Sequence, residues 1–251
     1  MNLTGSGGTL ALIGGGEWSA GCDFDTDLWE EGGRSEVVVL PTAAAYEHPE
    51  REVARAGAYF SGLGIASRGL PVLARTDAED EMLAADVRRA HFVYLGDGSP
   101  LHLRSVLKDS PVWAALVAAW RDGAVVAGSG AGAMVLGDPM VDPRGGALTL
   151  GLGLIRQVAV VPGANTWSTE KAQRTVRLAT GDLRIVAVDE ATAILRHPDG
   201  SWSRGGAGGV TVYAEGHPVA LDPRATGPAW SARTATASDV PFAERQIYPQ
   251  V

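Results

Sequence analysis

The chain has 251 residues, enough for one large α/β domain or two small ones. Apolar residues make up 45% of it and the net charge is −8, which supports a buried core and argues against nucleic acid or an anionic membrane as a partner. One cysteine, Cys22, excludes internal disulfides, and no stretch reaches the roughly 18–20 apolar residues of a membrane span.

The N-terminal run MNLTGSGGTLALIGGG has no basic segment before its short apolar stretch. No export signal is expected there, and the expected location is cytoplasmic. Thr9–Ile13 is a short apolar strand that ends at Gly14-Gly15-Gly16-Glu17, and Glu36–Leu40 is a stronger one that ends at Pro41-Thr42. Between them, Asp23–Glu31 is expected as a helix with its acids facing water. A helix follows Pro49, with Val53, Ala56, Tyr59, Phe60 and Leu63 near helical spacing, and Gly62 and Gly64 end it. Gly69–Leu73 is a third strand, and Asp77–Ala90 a helix opening on acids. His91–Leu95 is a fourth strand ending at Gly96–Ser99, followed by helices over Leu101–Leu107 and Val112–Asp122. Trp113 and Trp120, seven residues apart on the second, read as core.

Strands alternating with helices at this spacing imply an α/β fold with a mostly parallel sheet flanked by helices. Ligands bind such sheets at the carboxyl ends of the strands. Four strand ends carry small or polar turns: Gly14–Glu17, Pro41–Thr42, Gly96–Ser99 and Gly128–Gly132. Their convergence predicts a pocket. Further on, Pro139–Leu150 reads as loop, 151–161 as strand and Glu170–Ala179 as helix, before strands near Arg184–Asp189 and Ala193–Leu195. Ser201–Arg204, Gly208–Tyr213 and Pro218–Leu221 read as short antiparallel strands added at one sheet edge in the C-terminal third. No repeat and no linker divides the chain, so a single domain over 1–251 is expected, with 222–251 an irregular tail.

The chain is organised around Ala124–Asp138, AVVAGSGAGAMVLGD: a strand, a tight turn and a helix, the setting of a nucleophile elbow. Elbows usually read G-x-S-x-G, and here the five residues are Gly128, Ser129, Gly130, Ala131 and Gly132. The apex is Gly130, which has no side chain. Backbone N–H groups near Ala131 and Gly96 predict an anion-holding nest. Ser129 reads either as a displaced nucleophile, needing a base such as His102, His91 or His48, or as a serine that caps the turn. Gly128, Gly130 and Ala133 also satisfy a dinucleotide fingerprint, but the acid it needs about 20 residues on is absent from LTLGLGLI. Glu17 and Asp97 follow strand ends and suit general acid–base work in a pocket. Asp189-Glu190 reads either as a paired-acid motif or as a turn. Trp18 and Trp167 fall near the pocket. The five histidines show no i, i+4 pairing and Cys22 stands alone, so no metal and no cofactor is expected.

Several stretches together resemble the cyanophycinase and dipeptidase E family, peptidase S51. They are IGGGE (13–17), LPTAAA (40–45), YLGDGSPLHL (94–103), AGSGAGAM (127–134), GLGL (151–154), AVDEATAIL (187–195) and GAGGVTVY (206–213). The resemblance implies a class I glutamine-amidotransferase-like, flavodoxin-like fold and serine-type peptidase chemistry. The family serine falls on Gly130, and its histidine, in a D-Q-H-F-like run, falls on Gly163. No histidine lies between His102 and His197. The amidotransferase branch places cysteine at the apex, whereas Cys22 lies in the first βα segment and reads as an incidental thiol. The expected function is a family member that has lost serine hydrolysis and keeps a pocket for a small molecule or peptide, or an altered chemistry. Candidate pocket residues are Glu17, Gly96, Asp97, Ser129, Gly130, Ala131 and Glu190. The alternatives are a hydrolase acting through Ser129 and a nucleotide binder through Gly128–Ala133. The resemblance admits a homo-oligomer, which nothing in the chain demands.

Overall fold

The structure is a computed structural model that describes residues 7–144 and 146–220. The expected tail at 222–251 lies outside the described residues. Strands β1 (Leu10–Ile13), β2 (Val37–Leu40), β3 (Ser67–Gly69), β4 (Phe92–Leu95) and β5 (Val125–Ser129) run parallel in the order β3-β2-β4-β5-β1. Each of β1, β2, β4 and β5 is buried along its whole length. Alternation divides their side chains between two covered faces. Leu10, Leu12, Val38, Leu40, Val93, Leu95 and Val126 pack on one face. Ala11, Ile13, Val37, Val39, Phe92, Tyr94, Val125 and Ala127 pack on the other.

Helices α1 (Phe24–Glu31) and α2 (Pro49–Gly62) cover the second face through Phe24, Leu28, Ala56 and Phe60. The first face is covered from α3 (Arg75–Ala78), α4 (Glu81–Arg89), α5 (Pro100–Leu107) and α6 (Pro111–Arg121), with Leu103, Leu107, Leu116 and Trp120 among the largest contributors. The helix expected over Asp77–Ala90 is two helices, because Asp80 breaks it. Its backbone is extended and its carboxylate caps the second piece, accepting from the Met82 and Leu83 amides. The third strand lies at Ser67–Gly69, earlier than Gly69–Leu73, where it pairs with Val37–Val39.

The acids of α1 do not all face water. Asp25 is 0% exposed in the first turn, and neither carboxyl oxygen has a hydrogen-bond partner among the described residues. Nearby, the Tyr59 hydroxyl gives its hydrogen to the Cys22 carbonyl at 2.8 Å. Burial, more than any neighbouring charge, pushes the Asp25 carboxyl up to about 8.

After β5 comes α7 (Ala131–Leu136), then the short strands β6 (Gly137–Asp138), β7 (Met140–Val141), β8 (Leu148–Thr149) and β9 (Ile155–Arg156). They lead to β10 (Val158–Pro162), α8 (Thr169–Val176), β11 (Arg184–Val188), β12 (Thr192–Arg196), β13 (Trp202–Gly206), β14 (Val210–Ala214) and β15 (His217–Val219). The late strands do not join one edge. β12 and β13 extend the first sheet antiparallel from β1, whereas β14 and β15 pair beside β11 in a second sheet, ordered β15-β14-β11-β10-β6-β9. The chain changes sheets across the short connection between β13 and β14. Among the described residues, no helix is long and apolar enough to cross a membrane.

Candidate active site at the elbow

Register brings the strand ends level. Ile13 pairs with Ser129, Leu95 with Gly128 and Leu40 with Leu95, so the loops after β1, β2, β4 and β5 open on the same edge. The turn after β5 has the elbow form. Gly130 sits at φ 50°, ψ −109°, and its amide donates to the Ile13 carbonyl at 3.0 Å. Glycine adopts that conformation without a side-chain penalty.

The apex is not vacant space. A Cβ built on Gly130 would fall inside the van der Waals envelope of the Asp97 carboxyl group, which arrives from the loop after β4. Asp97 Oδ1 accepts hydrogen bonds from the Ala131 amide and from the Gly98 amide, each at 2.7 Å. The predicted nest is therefore filled by the protein's own carboxylate. That corrects the expectation of a free anion site near Ala131 and Gly96. Burial raises the Asp97 carboxyl above its ordinary range, the two amides oppose the shift, and the charges of Glu17 and Glu52 add to it.

The same carboxylate stands against a pyrophosphate at Gly128–Ala133. The glycines there serve packing: a Cβ on Gly128 would lie 2.6 Å from the Gly132 carbonyl carbon. The nucleotide reading is thereby corrected to an elbow reading.

Glu17 does follow the end of β1, but its side chain turns inward. It is buried, and its Oε2 accepts the Ser129 hydroxyl at 2.7 Å while Oε1 accepts Arg55 Nη2 at 2.9 Å. Ser129 is 0% exposed, and its hydrogen bond goes to a carboxylate rather than to a histidine. Arg55 also pairs with Glu52 at 2.6 Å, and its guanidinium lies 5.1 Å from the centroid of the Trp18 ring. Trp18 is buried below the loops, 5.2 Å from the Tyr94 ring, and underlies Gly96. Ser129→Ala is expected to cost about 1–3 kcal/mol of stability, because Glu17 loses a donor in a buried place. Urea unfolding of the variant measures it, and a loss below experimental error would mean that the bond contributes nothing.

The histidines considered as bases lie elsewhere. His102 Nε2 bonds to the Leu73 carbonyl at 2.9 Å and its ring stacks edge-on with the exposed Tyr46, while His48 and His91 are exposed. Cys22 is buried, and burial raises its thiol, the opposite of an activated thiolate. Trp167 packs against the core cluster of the second sheet. Glu190 is exposed on the rim, its amide donating to Asn165 Oδ1 at 3.0 Å. Its neighbour Asp189 accepts the Gly209 amide at 2.8 Å, and the Ala191 amide bonds to the Gly15 carbonyl at 2.8 Å. Asp189-Glu190 thus pins a turn against the loop after β1. Among the described residues, no group of His, Cys, Asp and Glu is arranged to hold a metal ion.

The model of peptidase family S51 matches residues 10–201. The chain belongs to peptidase family S51. It is 25% identical over 221 residues to cyanophycinase of Synechococcus elongatus, covering 83% of this chain and 69% of that protein. Cyanophycinase of Thermosynechococcus vestitus matches to the same extent. Among solved structures, a peptidase from an acI-B1 actinobacterium superposes with a TM-score of 0.74 at 29% identity, over 83% of this chain and 91% of that one.

Gly130 and Gly163, the two glycines on which the resemblance places the family's serine and histidine, both bond to the loop after β1. The Gly130 amide bonds to the Ile13 carbonyl, and the Gly163 amide bonds to the next carbonyl, that of Gly14, at 2.6 Å. Gly163 follows β10, in the other sheet. The nearest atom to a Cβ built there is Thr166 Oγ1, at 3.2 Å. Neither glycine offers a proton-transferring group. Arg55 and the Asp97–Ala131 bond went unforeseen. They join residues 38 and 34 positions apart, a separation at which local spacing carries no signal.

Proposed function

We propose that this S51 chain binds a small molecule or peptide at the carboxyl edge of its first sheet and does not carry out serine-type hydrolysis. One observation carries the reading: Gly130 has no side chain, and the Asp97 carboxylate stands over it on the Ala131 amide. Serine-type acyl transfer needs a nucleophile, a base within hydrogen-bond reach and donors for the developing oxyanion. Here the apex supplies no nucleophile and the position matched to the base is Gly163. The Ala131 donor already serves a negative charge. A second negative charge beside Asp97 would be repelled rather than stabilised. Similarity to cyanophycinases and to a peptidase supports a peptide-like occupant for the inherited edge.

The test is a fluorophosphonate probe together with a panel of acidic dipeptides and β-aspartyl peptides. The purified protein is expected to take no label and to show no turnover above buffer. Labelling at Ser129, or turnover that disappears in Ser129→Ala, would restore the hydrolase reading and overturn this one.

A further inference from the structure

Residues 14–23 form the loop that joins β1 to α1 and brings Glu17 and Trp18 beneath the carboxyl edge of the first sheet. The loop turns on Gly15, Gly16, Trp18 and Gly21, all at positive φ, a conformation that is strained for Trp18. Asp23, at its junction with α1, makes no side-chain capping bond. Its ties to other elements include Ser129 and Arg55 to Glu17, and the Ala191 amide to the Gly15 carbonyl. Near its far end, the Tyr59 hydroxyl of α2 holds the Cys22 carbonyl at 2.8 Å.

That last tie stands beside Asp25. Both Asp25 oxygens are sealed from water and lack a partner among the described residues, so a negative charge formed there would have neither water nor a free donor. The groups facing it are Glu17 and Cys22 from the loop, Tyr59 from α2 and Tyr94 from β4, with Asp23 close to Tyr59. None of these described residues is a cation, and Arg55 is committed to Glu17 and Glu52. β5 and β13 also pack on α1, through Val125, Ala127, Gly205 and Gly206, and bring no charge. The Tyr94 hydroxyl is itself unpartnered and so does not bond Asp25. The Tyr59 hydroxyl does stand toward Asp25 and favours its charged form, and burial keeps that hydroxyl protonated.

We propose that Asp25 and Tyr59 form a pH-sensitive latch on this loop. With Asp25 protonated, Tyr59 holds the Cys22 carbonyl and the loop stays closed. Loss of the proton to solvent turns the hydroxyl to the carboxylate, breaks the tie at Cys22 and lets water reach the second oxygen. The closed form keeps the Asp25 proton up to about pH 8, whereas the open form releases it in the ordinary carboxylate range. Opening therefore becomes about tenfold more frequent per pH unit between those limits and levels off above them. Release draws Glu17 away from Ser129 and Trp18 from beneath Gly96, so the carboxyl edge loosens as the pH rises.

Cys22 reports the opening, because it is the chain's single cysteine and is buried beside the latch. The experiment is its alkylation by iodoacetamide in the whole chain, followed by mass spectrometry between about pH 6 and about pH 7.5. Reagent is kept low enough that the loop closes faster than it reacts. Over this range an exposed thiol gains about tenfold in rate per pH unit through its thiolate. The wild-type protein is expected to gain about a hundredfold per unit, and Asp25→Asn only about tenfold. Tyr59→Phe, which removes the tie at Cys22, is expected to raise the rate at the acid end by about tenfold. Amide hydrogen exchange at Phe92–Leu95 measures opening of the whole chain, and thermal unfolding establishes that both variants fold. A wild-type gain of only about tenfold per unit, or one equal to that of Asp25→Asn, overturns the proposal. So does an unchanged rate in Tyr59→Phe, or Cys22 opening no more frequent than that of Phe92–Leu95. Probe labelling at Ser129 would overturn only the earlier reading of function, which the latch does not depend on.

Discussion

Asp25→Asn is expected to stabilise the protein by about 2–4 kcal/mol near neutral pH and by little near pH 4. Asp25 enters the folded state fully buried, without a hydrogen-bond partner among the described residues. Burial raises its carboxyl from 3.8 to about 8. Below the unfolded value both states hold the proton, and the group costs nothing through ionisation. Above it the unfolded chain releases the proton while the folded protein keeps it. Stability then falls by about 1.4 kcal/mol per pH unit until the folded value is passed. The sign is that of an acid whose folded value is raised: stability is complete in acid and is lost as pH rises towards 8. Asparagine removes this slope but still buries a polar amide, which trims the gain. Urea unfolding of both proteins at the two pH values measures the effect. An equal difference at both would show that Asp25 is ionised in the folded protein.

Gly130→Ser is expected to destabilise the protein by about 3 kcal/mol and to yield no hydrolase. A non-glycine residue at φ 50°, ψ −109° is strained, a cost of about 1–3 kcal/mol. Its Cβ must also displace the Asp97 carboxyl group from the Ala131 amide. The two costs are separable by a double-mutant cycle with Asp97→Ala. Removing the carboxyl group clears the apex, so the serine should be tolerated better there, with a coupling of about 1–2 kcal/mol. Hydrolysis should remain absent in the double variant, since position 163 still lacks a base. Thermal unfolding of the four proteins supplies the cycle, and additive losses would mean that Asp97 does not hold the space over the apex.

Much of the fold was legible because its signals are local. The runs at Leu10–Ile13, Val37–Leu40, Phe92–Leu95 and Val125–Ser129 are short, apolar and followed by small residues, which is how a strand buried on both faces must read. The glycines at 128, 130 and 132 marked the elbow and showed that its apex lacks a side chain. The break at Asp80 was missed because an acid in a helical pattern reads equally as surface or cap. The division of the late strands between two sheets was missed for a similar reason: alternation shows that a segment is a strand, not which neighbour it pairs with.

By itself the sequence determined a layered α/β chain, an elbow with glycine at its apex, glycine where the resemblance places histidine, and acids after the strand ends. The tertiary structure decided what those acids do. Glu17 and Asp97 look alike in sequence, each directly after a glycine beyond a strand end. One turns inward to Ser129 and Arg55, while the other stands over Gly130 on the Ala131 amide. Asp25, expected at the surface, is buried. Whether a carboxyl group is paired, buried or held over a site depends on partners brought close by the packing of distant segments, and spacing along the chain does not encode that proximity.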